Sequence, residues 1–318
     1  MVKFVLKFIL FLSIIFIILK LMDRYYTNYA LKHKNVCEKS DWALNHNNQT
    51  FDYAFIGNSR VMNMVDINSI EKRIDKTGIN LGLIGANYAE SCILLDQFLK
   101  NGNKIKNLII QIDMHSLNSN KELLYPLHYY NYIHLLADTS VSKIFKDNTN
   151  SYKFILWKYI PFIRYMEFSQ KYRLYKMVKG GFECKTNDKY DSTKGSDIVT
   201  NGVLNENVKY NYLYWSINEN DEKYLMNLIT FAKLKGINPI LYTAPIYYKY
   251  VNYQLNYSNI LKKVIVKTNK LGVRYFDFSK IHDLCANRND FNDNIHMNIR
   301  GVVKLTKILS DSIGPYLK

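Results

Sequence analysis

Cysteine, glycine and proline are sparse, and acidic residues are outnumbered. The 4 cysteines, Cys37, Cys92, Cys184 and Cys285, lie far apart and form no C-x-x-C pair, which argues against a metal site. An exported chain could join them in up to two disulfides, but the sequence pairs none, and buried free thiols are the simpler reading. Against 43 Lys and Arg stand 27 Asp and Glu, a formal charge of +16. Such an excess can mark an anionic partner: nucleic acid, a phospholipid surface or a teichoic-type polymer. No stretch interleaves Lys or Arg along one face, so the chain offers no nucleic-acid motif. Abundant Lys, Asn, Ile and Tyr beside only 13 Gly and 5 Pro point instead to a chain-wide bias. No internal repeat or low-complexity tract is present. Hydrophobic residues at 48% and aromatics at 14% exclude general disorder, and 318 residues suffice for one large domain, with or without an insertion.

What is present begins with a long apolar run. Residues 4–22 are almost entirely Phe, Leu, Ile and Val, interrupted by Lys7, Ser13 and Lys20. The charge-free part, 8–19, would suit a signal-peptide core. No small-x-small cleavage signature follows, however, and Lys7 and Lys20 can snorkel toward the two interfaces. The expectation is an uncleaved transmembrane signal anchor over 1–24, a polar tether over 25–50 and a globular domain over 51–318. We expect the amino terminus inside and the domain outside the cytoplasmic membrane, the commoner use of a short leading tail. The flanking charges, Lys3 and Lys7 against Lys20, Arg24, Lys32 and Lys34, argue the other way. Tyr25, Tyr26 and Tyr29 suit an interfacial belt.

The body alternates strand-like and helix-like patterns. Helical stretches near 66–76, 87–100, 219–235 and 256–271 are each followed by a glycine, at Gly78, Gly102, Gly236 and Gly272, and then by an apolar run. A glycine past a helix can take the left-handed conformation that closes the last turn. Five strands near 52–57, 79–83, 107–113, 238–243 and 273–277 with helical crossovers predict a three-layer α/β/α fold around a five-stranded parallel sheet. A last helix is expected over 298–312. Residues 118–214 break the rhythm. Their first half is aromatic and helical in pattern (YPLHYYNYIHLL, FILWKYIPFIRYMEF) and their second half is polar and turn-rich. They read as an insertion at the third strand, either a lid or platform over the site or a peripheral packing element.

Chemistry concentrates at two distant places. FDYAFIGNSR, residues 51–60, is a strand that breaks at Gly57 and leaves Ser59 at its carboxyl end, where open α/β sheets bind ligands. Asp293 and His296 stand three residues apart in DNIHMNIRG, just before the last helix. A hydroxyl, a base and a group to orient that base are what nucleophilic catalysis by serine requires. Each has a duller reading: Ser59 as a helix cap, Asp293 with His296 as a capping loop, and Asn87 as the N-cap of its helix. Asp113 with His115, and His282 with Asp283, are rival pairs. Arg60 and Asn298 read as brackets of their loops.

The GNSR turn, the glycine after the second strand and DxxHxNxxG before the last helix resemble the SGNH (GDSL-like) hydrolase superfamily over about 51–117 and 216–318. Asn58 resembles the variant found in membrane-anchored relatives that transfer acyl groups to cell-envelope polymers. The resemblance implies Ser59 as nucleophile, His296 as base and Asp293 as its orienter. The backbone N–H groups of Ser59 and Gly82 would form the oxyanion hole. Where the family has Gly-x-Asn-Asp after the third strand, NLIIQIDMHS ends in Asp113, which leaves Asn87 as the substitute donor or the hole one donor short. It further implies an esterase or O-acyltransferase that needs no metal or nucleotide cofactor. Its partners would be an envelope polysaccharide or teichoic-type polymer and a membrane-bound acyl-donor protein. Two rivals stand beside it: a non-catalytic polymer-binding or assembly protein using the insertion as its contact surface, and a lipid esterase.

Overall fold

The computed structural model describes residues 1–32, 39–118, 129–166, 186–200, 202–205 and 207–318. The chain opens with a long helix α1 (Val2–Lys32) and a short α2 (Lys39–Asn45), followed by β1 (Thr50–Ile56), α3 (Ser59–Met64) and α4 (Ile67–Ile74). Then come β2 (Gly78–Asn80), α5 (Tyr88–Lys100), β3 (Lys104–Gln111) and α6 (Met114–Leu117). The insertion contributes α7 (Tyr129–Tyr132), α8 (Thr139–Asn148), α9 (Ser151–Tyr159) and α10 (Thr186–Thr193). The body resumes with α11 (Glu219–Leu234), β4 (Asn238–Thr243), α12 (Tyr248–Val251), α13 (Tyr257–Asn269), β5 (Arg274–Asp277), α14 (His282–Cys285) and α15 (Ile299–Ile313).

The five strands form one parallel sheet in the order β2-β1-β3-β4-β5, with Ala54 opposite both Ile79 and Leu108, and Ile109 opposite Ile240. Alternate side chains of each strand face opposite layers. Ala54, Ile56, Leu108 and Ile110 meet Leu94 and Phe98 of α5, Leu228 of α11 and Val264 of α13. Tyr53, Phe55, Ile109 and Tyr242 meet Val61 and Met64 of α3, Ile70 of α4, and Leu305 and Leu309 of α15. The three-layer α/β/α architecture expected from the repeating pattern is the one observed. Strand order reverses between β1 and β3, so the crevice at their carboxyl ends is where this topology places a ligand.

Several local expectations are corrected. Helix α4 stops at Ile74, where Asp75 takes the left-handed conformation (φ 51°), three residues before Gly78. Gly78 lies in β2, and a Cβ there would fall 2.2 Å from Cζ of Tyr53, so the glycine makes room for a ring. Gly102, Gly236 and Gly272 do follow their helices with positive φ. Within the expected tether, residues 39–45 form α2, whose Trp42, Ala43 and Leu44 belong to the core. Lys39 is buried as well, with Nζ 2.9 Å from Oδ1 of Asn80.

Helix α1 has a 27-residue stretch, Val2–Asn28, containing an 18-residue window with a mean hydropathy of 2.7, consistent with a single membrane-spanning segment. Tyr26 is not part of an exposed belt: its ring is buried 4.1 Å from that of Tyr165, while Tyr25 is exposed. The side chain of Tyr29 lies outside the described set. Cys92 and Cys285 are free thiols; Cys37 and Cys184 fall outside the described residues. In the insertion, Ile133, Phe145 and Trp157 join the core cluster of Phe98. The polar return stretch after α10 passes the turn that follows β1, where the Asp197 N–H donates to the Met62 carbonyl at 2.8 Å.

Candidate active site

The turn after β1 is built by close packing. A Cβ at Gly57 would lie 2.6 Å from both Oε1 of Gln111 and Cγ2 of Val61, so only glycine lets the chain turn there against β3. Asn58 then caps α3, its Oδ1 accepting from the Arg60 N–H at 3.0 Å. Its Nδ2 donates to Oγ of Ser116 at 3.3 Å, and Ser116 in turn donates to the Ala86 carbonyl at 3.0 Å. This chain ties together the loops that follow β1, β3 and β2. It also accounts for an amide at position 58, because a carboxylate could cap but not donate to Ser116.

Ser59, the first residue of α3, is held with Oγ 2.8 Å from Nε2 of His296. Nδ1 of His296 lies 2.8 Å from Oδ2 of Asp293, whose Oδ1 accepts the N–H groups of Ile295 and His296 at 2.9 and 2.8 Å. Burial pushes the Asp293 carboxyl up. The bonds from His296 and the loop N–H groups outweigh it and hold it below its ordinary value. An ionised Asp293 fixes the proton on Nδ1, which leaves Nε2 as the acceptor for the Ser59 hydroxyl. The loop that carries the pair is braced by Asn298, which caps α15 through Oδ1 and donates from Nδ2 to the carbonyls of Gly202 and Asn289 at 2.7 and 2.8 Å. Gly301 lets α15 approach, since a Cβ there would sit 2.2 Å from the Asp290 carbonyl.

Arg60 is 3% exposed and works beneath this surface. It pairs with Asp113 at 2.6 Å, donates from Nη2 to the carbonyls of Ala244 and Pro245 at 2.7 and 2.8 Å, and from Nε to that of Ile295 at 3.2 Å. One guanidinium therefore joins the ends of β1, β3 and β4 to the loop beside His296. Burial pushes the Asp113 carboxyl up, but the Arg60 charge, the neighbouring His115 and the hydrogen bonds from Arg60 and the His115 N–H together outweigh it and hold it below its ordinary value. With its other oxygen accepting from His115 N at 2.9 Å, it is a structural anion and not a second base. The rival pair His282 and Asp283 is about nine-tenths exposed, and its atoms are 3.8 Å apart, beyond hydrogen-bond reach.

The oxyanion residues divide. The Gly82 N–H donates to Oδ1 of Asn80 at 2.9 Å and is spent there, and the missing side chain makes room for Val61 and the Met62 N–H. Asn87 caps α5, accepting from the Glu90 N–H at 3.0 Å. The sequence reading missed Gly85, the second glycine of NLGLIGANY. It is exposed with φ +69°, and among the described residues its N–H, like that of Ser59, has no protein acceptor. Among the described residues no cluster of three or more His, Cys, Asp or Glu is arranged to hold a metal ion.

A tyrosine cluster adjoins the loop. Tyr247 donates its N–H to the Asn294 carbonyl at 3.1 Å and leads into α12. Burial and then the charges of Asp113 and Asp293 raise the Tyr250 phenol. Tyr210 packs on Tyr250 and Tyr253 with ring centroids 5.7 and 5.0 Å apart, and Tyr212 on Tyr253 at 5.2 Å.

No family model matches the chain, and no curated protein matches it. Among solved structures it is similar to a lipase/acylhydrolase from Enterococcus faecalis, at 10% identity over 84% of this chain and 97% of that one, with a TM-score of 0.41. It is also similar to a candidate acylhydrolase from Bacteroides fragilis NCTC 9343, at 13% identity over 91% and 96%, with a TM-score of 0.39.

Proposed function

We propose that the chain is a membrane-anchored serine esterase or O-acyltransferase of the SGNH type, acting on a cell-envelope glycan or teichoic-type polymer outside the cytoplasmic membrane. The observation that carries this reading is the relay from Ser59 Oγ through His296 to Asp293, with two 2.8 Å contacts at the switch point of the sheet. Ser59 Oγ attacks the acyl carbonyl as its proton passes to His296 Nε2, and Asp293 stabilises the imidazolium. Charge on the tetrahedral oxygen is met by the N–H groups of Ser59 and Gly85. A donor in such a position contributes about 2.7–4 kcal/mol, judged by its removal. His296 then protonates the departing alcohol. Water or a sugar hydroxyl then attacks the acyl carbonyl as its proton passes to His296 Nε2, and His296 returns a proton to Ser59 Oγ as the acyl bond breaks, restoring the starting state.

The tyrosines beside the Asp293 loop support a sugar-bearing acceptor. Tyrosine offers an apolar face to pyranose C–H groups and a hydroxyl to their polar edge. The test is labelling with a fluorophosphonate probe, comparing the parent with Ser59→Ala and His296→Ala. Labelling is expected in the parent only. Equal labelling of all three would remove the assignment.

A further inference from the structure

Helix α9 is apolar on two sides. It buries Phe154 and Trp157 against the domain, at 6% and 4% exposed. On the other side Tyr152, Ile155 and Tyr159 are 70%, 51% and 64% exposed, followed by Ile160 at 41% and Met166 at 52%. The spacing of Tyr152, Ile155 and Tyr159 places them on one face. Lysines flank this face with their ammonium groups over the rings of its buried side: Lys153 Nζ lies 4.8 Å from the centre of Trp157, and Lys158 Nζ 5.6 Å from that of Phe154. A helix with aromatic and aliphatic groups on one side and cations at its margins has the make-up of a segment that lies in the headgroup region of a bilayer.

A separate observation sets the height of this face. The chain leaving α9 is clasped to the anchor. The Phe162 N–H donates to Oδ1 of Asp23 at 3.0 Å, and Arg164 meets both Asp23 oxygens at 3.1 and 2.8 Å. The hydroxyl of Tyr165 lies 2.5 Å from Oγ1 of Thr27. Phe162 takes a left-handed conformation (φ 66°), and its ring meets Tyr26 edge-on at 6.3 Å. A bilayer core spans roughly 20 helical residues, so a crossing that starts at Val2 ends near Met22. Asp23 and Thr27 then stand at the lipid–water boundary, and they hold residues 160–166 at that level. Tyr159 is three residues from Phe162.

We propose that the exposed face of α9 and residues 160–166 form an interfacial foot, seated in the headgroup–acyl boundary of the same phospholipid bilayer that α1 crosses. The domain then rests on the membrane surface instead of swinging from a tether. The proposal depends on α1 as the membrane span and is independent of the chemistry at Ser59.

The test uses the full chain, with the four native cysteines replaced by serine, in nanodiscs of mixed zwitterionic and anionic phospholipid. Single cysteines at Ile15→Cys, Ile155→Cys and Val266→Cys carry an environment-sensitive fluorophore, and quenching by spin-labelled phospholipid is read. The expected result is strong quenching at 15, quenching at 155 several-fold above that at 266, and little at 266. Quenching at 15 with equal, low values at 155 and 266 would overturn the foot, as it would if this face docks another protein. No quenching at 15 would remove the anchor and the foot together. The unmodified chain gives a check free of cysteine replacement: a photoactivatable phospholipid should leave adducts on peptides covering α1 and α9. Adducts confined to α1 would refute the proposal.

Discussion

Arg60→Met is the most searching single change, because it asks whether one buried guanidinium holds the floor of the site. The substitution keeps much of the side-chain volume but strands the Asp113 carboxylate at 2% exposure, and removes the donor from the carbonyls of Ala244, Pro245 and Ile295. Breaking a buried ion pair from one side costs about 3–5 kcal/mol. For a domain of this size that lowers the thermal midpoint by about 10 °C. The assay is thermal unfolding of the full chain in detergent, followed by near-ultraviolet circular dichroism. The pH dependence fixes the cause. In the parent, Asp113 is held below its unfolded value by Arg60, so its contribution is complete above that value, about 3.9, and is lost as pH falls through the lower folded one. Without Arg60, burial raises the carboxyl above 3.9, and the variant loses stability as pH rises through that window. The gap between parent and variant should therefore widen from about pH 4 to neutrality. Adding Asp113→Asn should recover most of the loss, since no charge is left stranded. A deficit under about 1 kcal/mol, a gap that does not change with pH, or no recovery in the double variant would refute the reasoning.

Two further outcomes follow from the site. Asn58→Asp keeps the cap on Arg60 but sets an acceptor against Ser116, whose own proton already goes to Ala86; a loss of about 1–3 kcal/mol is expected in denaturant titration, and no loss would show that the tie between the loops is weak. Asp293→Asn removes the charge that sets the His296 tautomer. Its fluorophosphonate acylation rate should fall by roughly 10⁴, with the thermal midpoint moving far less than in Arg60→Met, and an unchanged rate would exclude an orienting role.

The layers of the fold were legible because they rest on patterns that repeat: strand alternation, helix caps such as Asn87, and glycines at 102, 236 and 272 that close helices. What stayed hidden depends on partners far away in sequence. Helix α2 is seven residues with Lys39 and Asp41 among its buried positions, too short for periodicity and polar enough to read as linker. Gly78 looked like a helix terminator because the need it meets, space for Tyr53, comes from a neighbouring strand. Gly82 and Gly85 are equivalent as letters. Distant partners and backbone conformation separate them: Asn80 Oδ1 takes the Gly82 N–H, while Gly85 is exposed with a positive φ. Ser59, His296 and Asp293 were nameable from local motifs, whereas the three-way reach of Arg60 needed coordinates.

The return stretch of the insertion bears on how this domain can be cut and rebuilt. Gly202 sits so close to Asn292 that a Cβ would collide with it, its carbonyl accepts from Asn298, and the Leu204 N–H donates to Phe291 at 2.8 Å. The segment is thus a splint on the histidine-bearing loop. Excising residues 118–214 would not yield a pared-down domain with the Ser59–His296–Asp293 arrangement intact, and swapping the insertion between proteins would carry part of that arrangement's support with it.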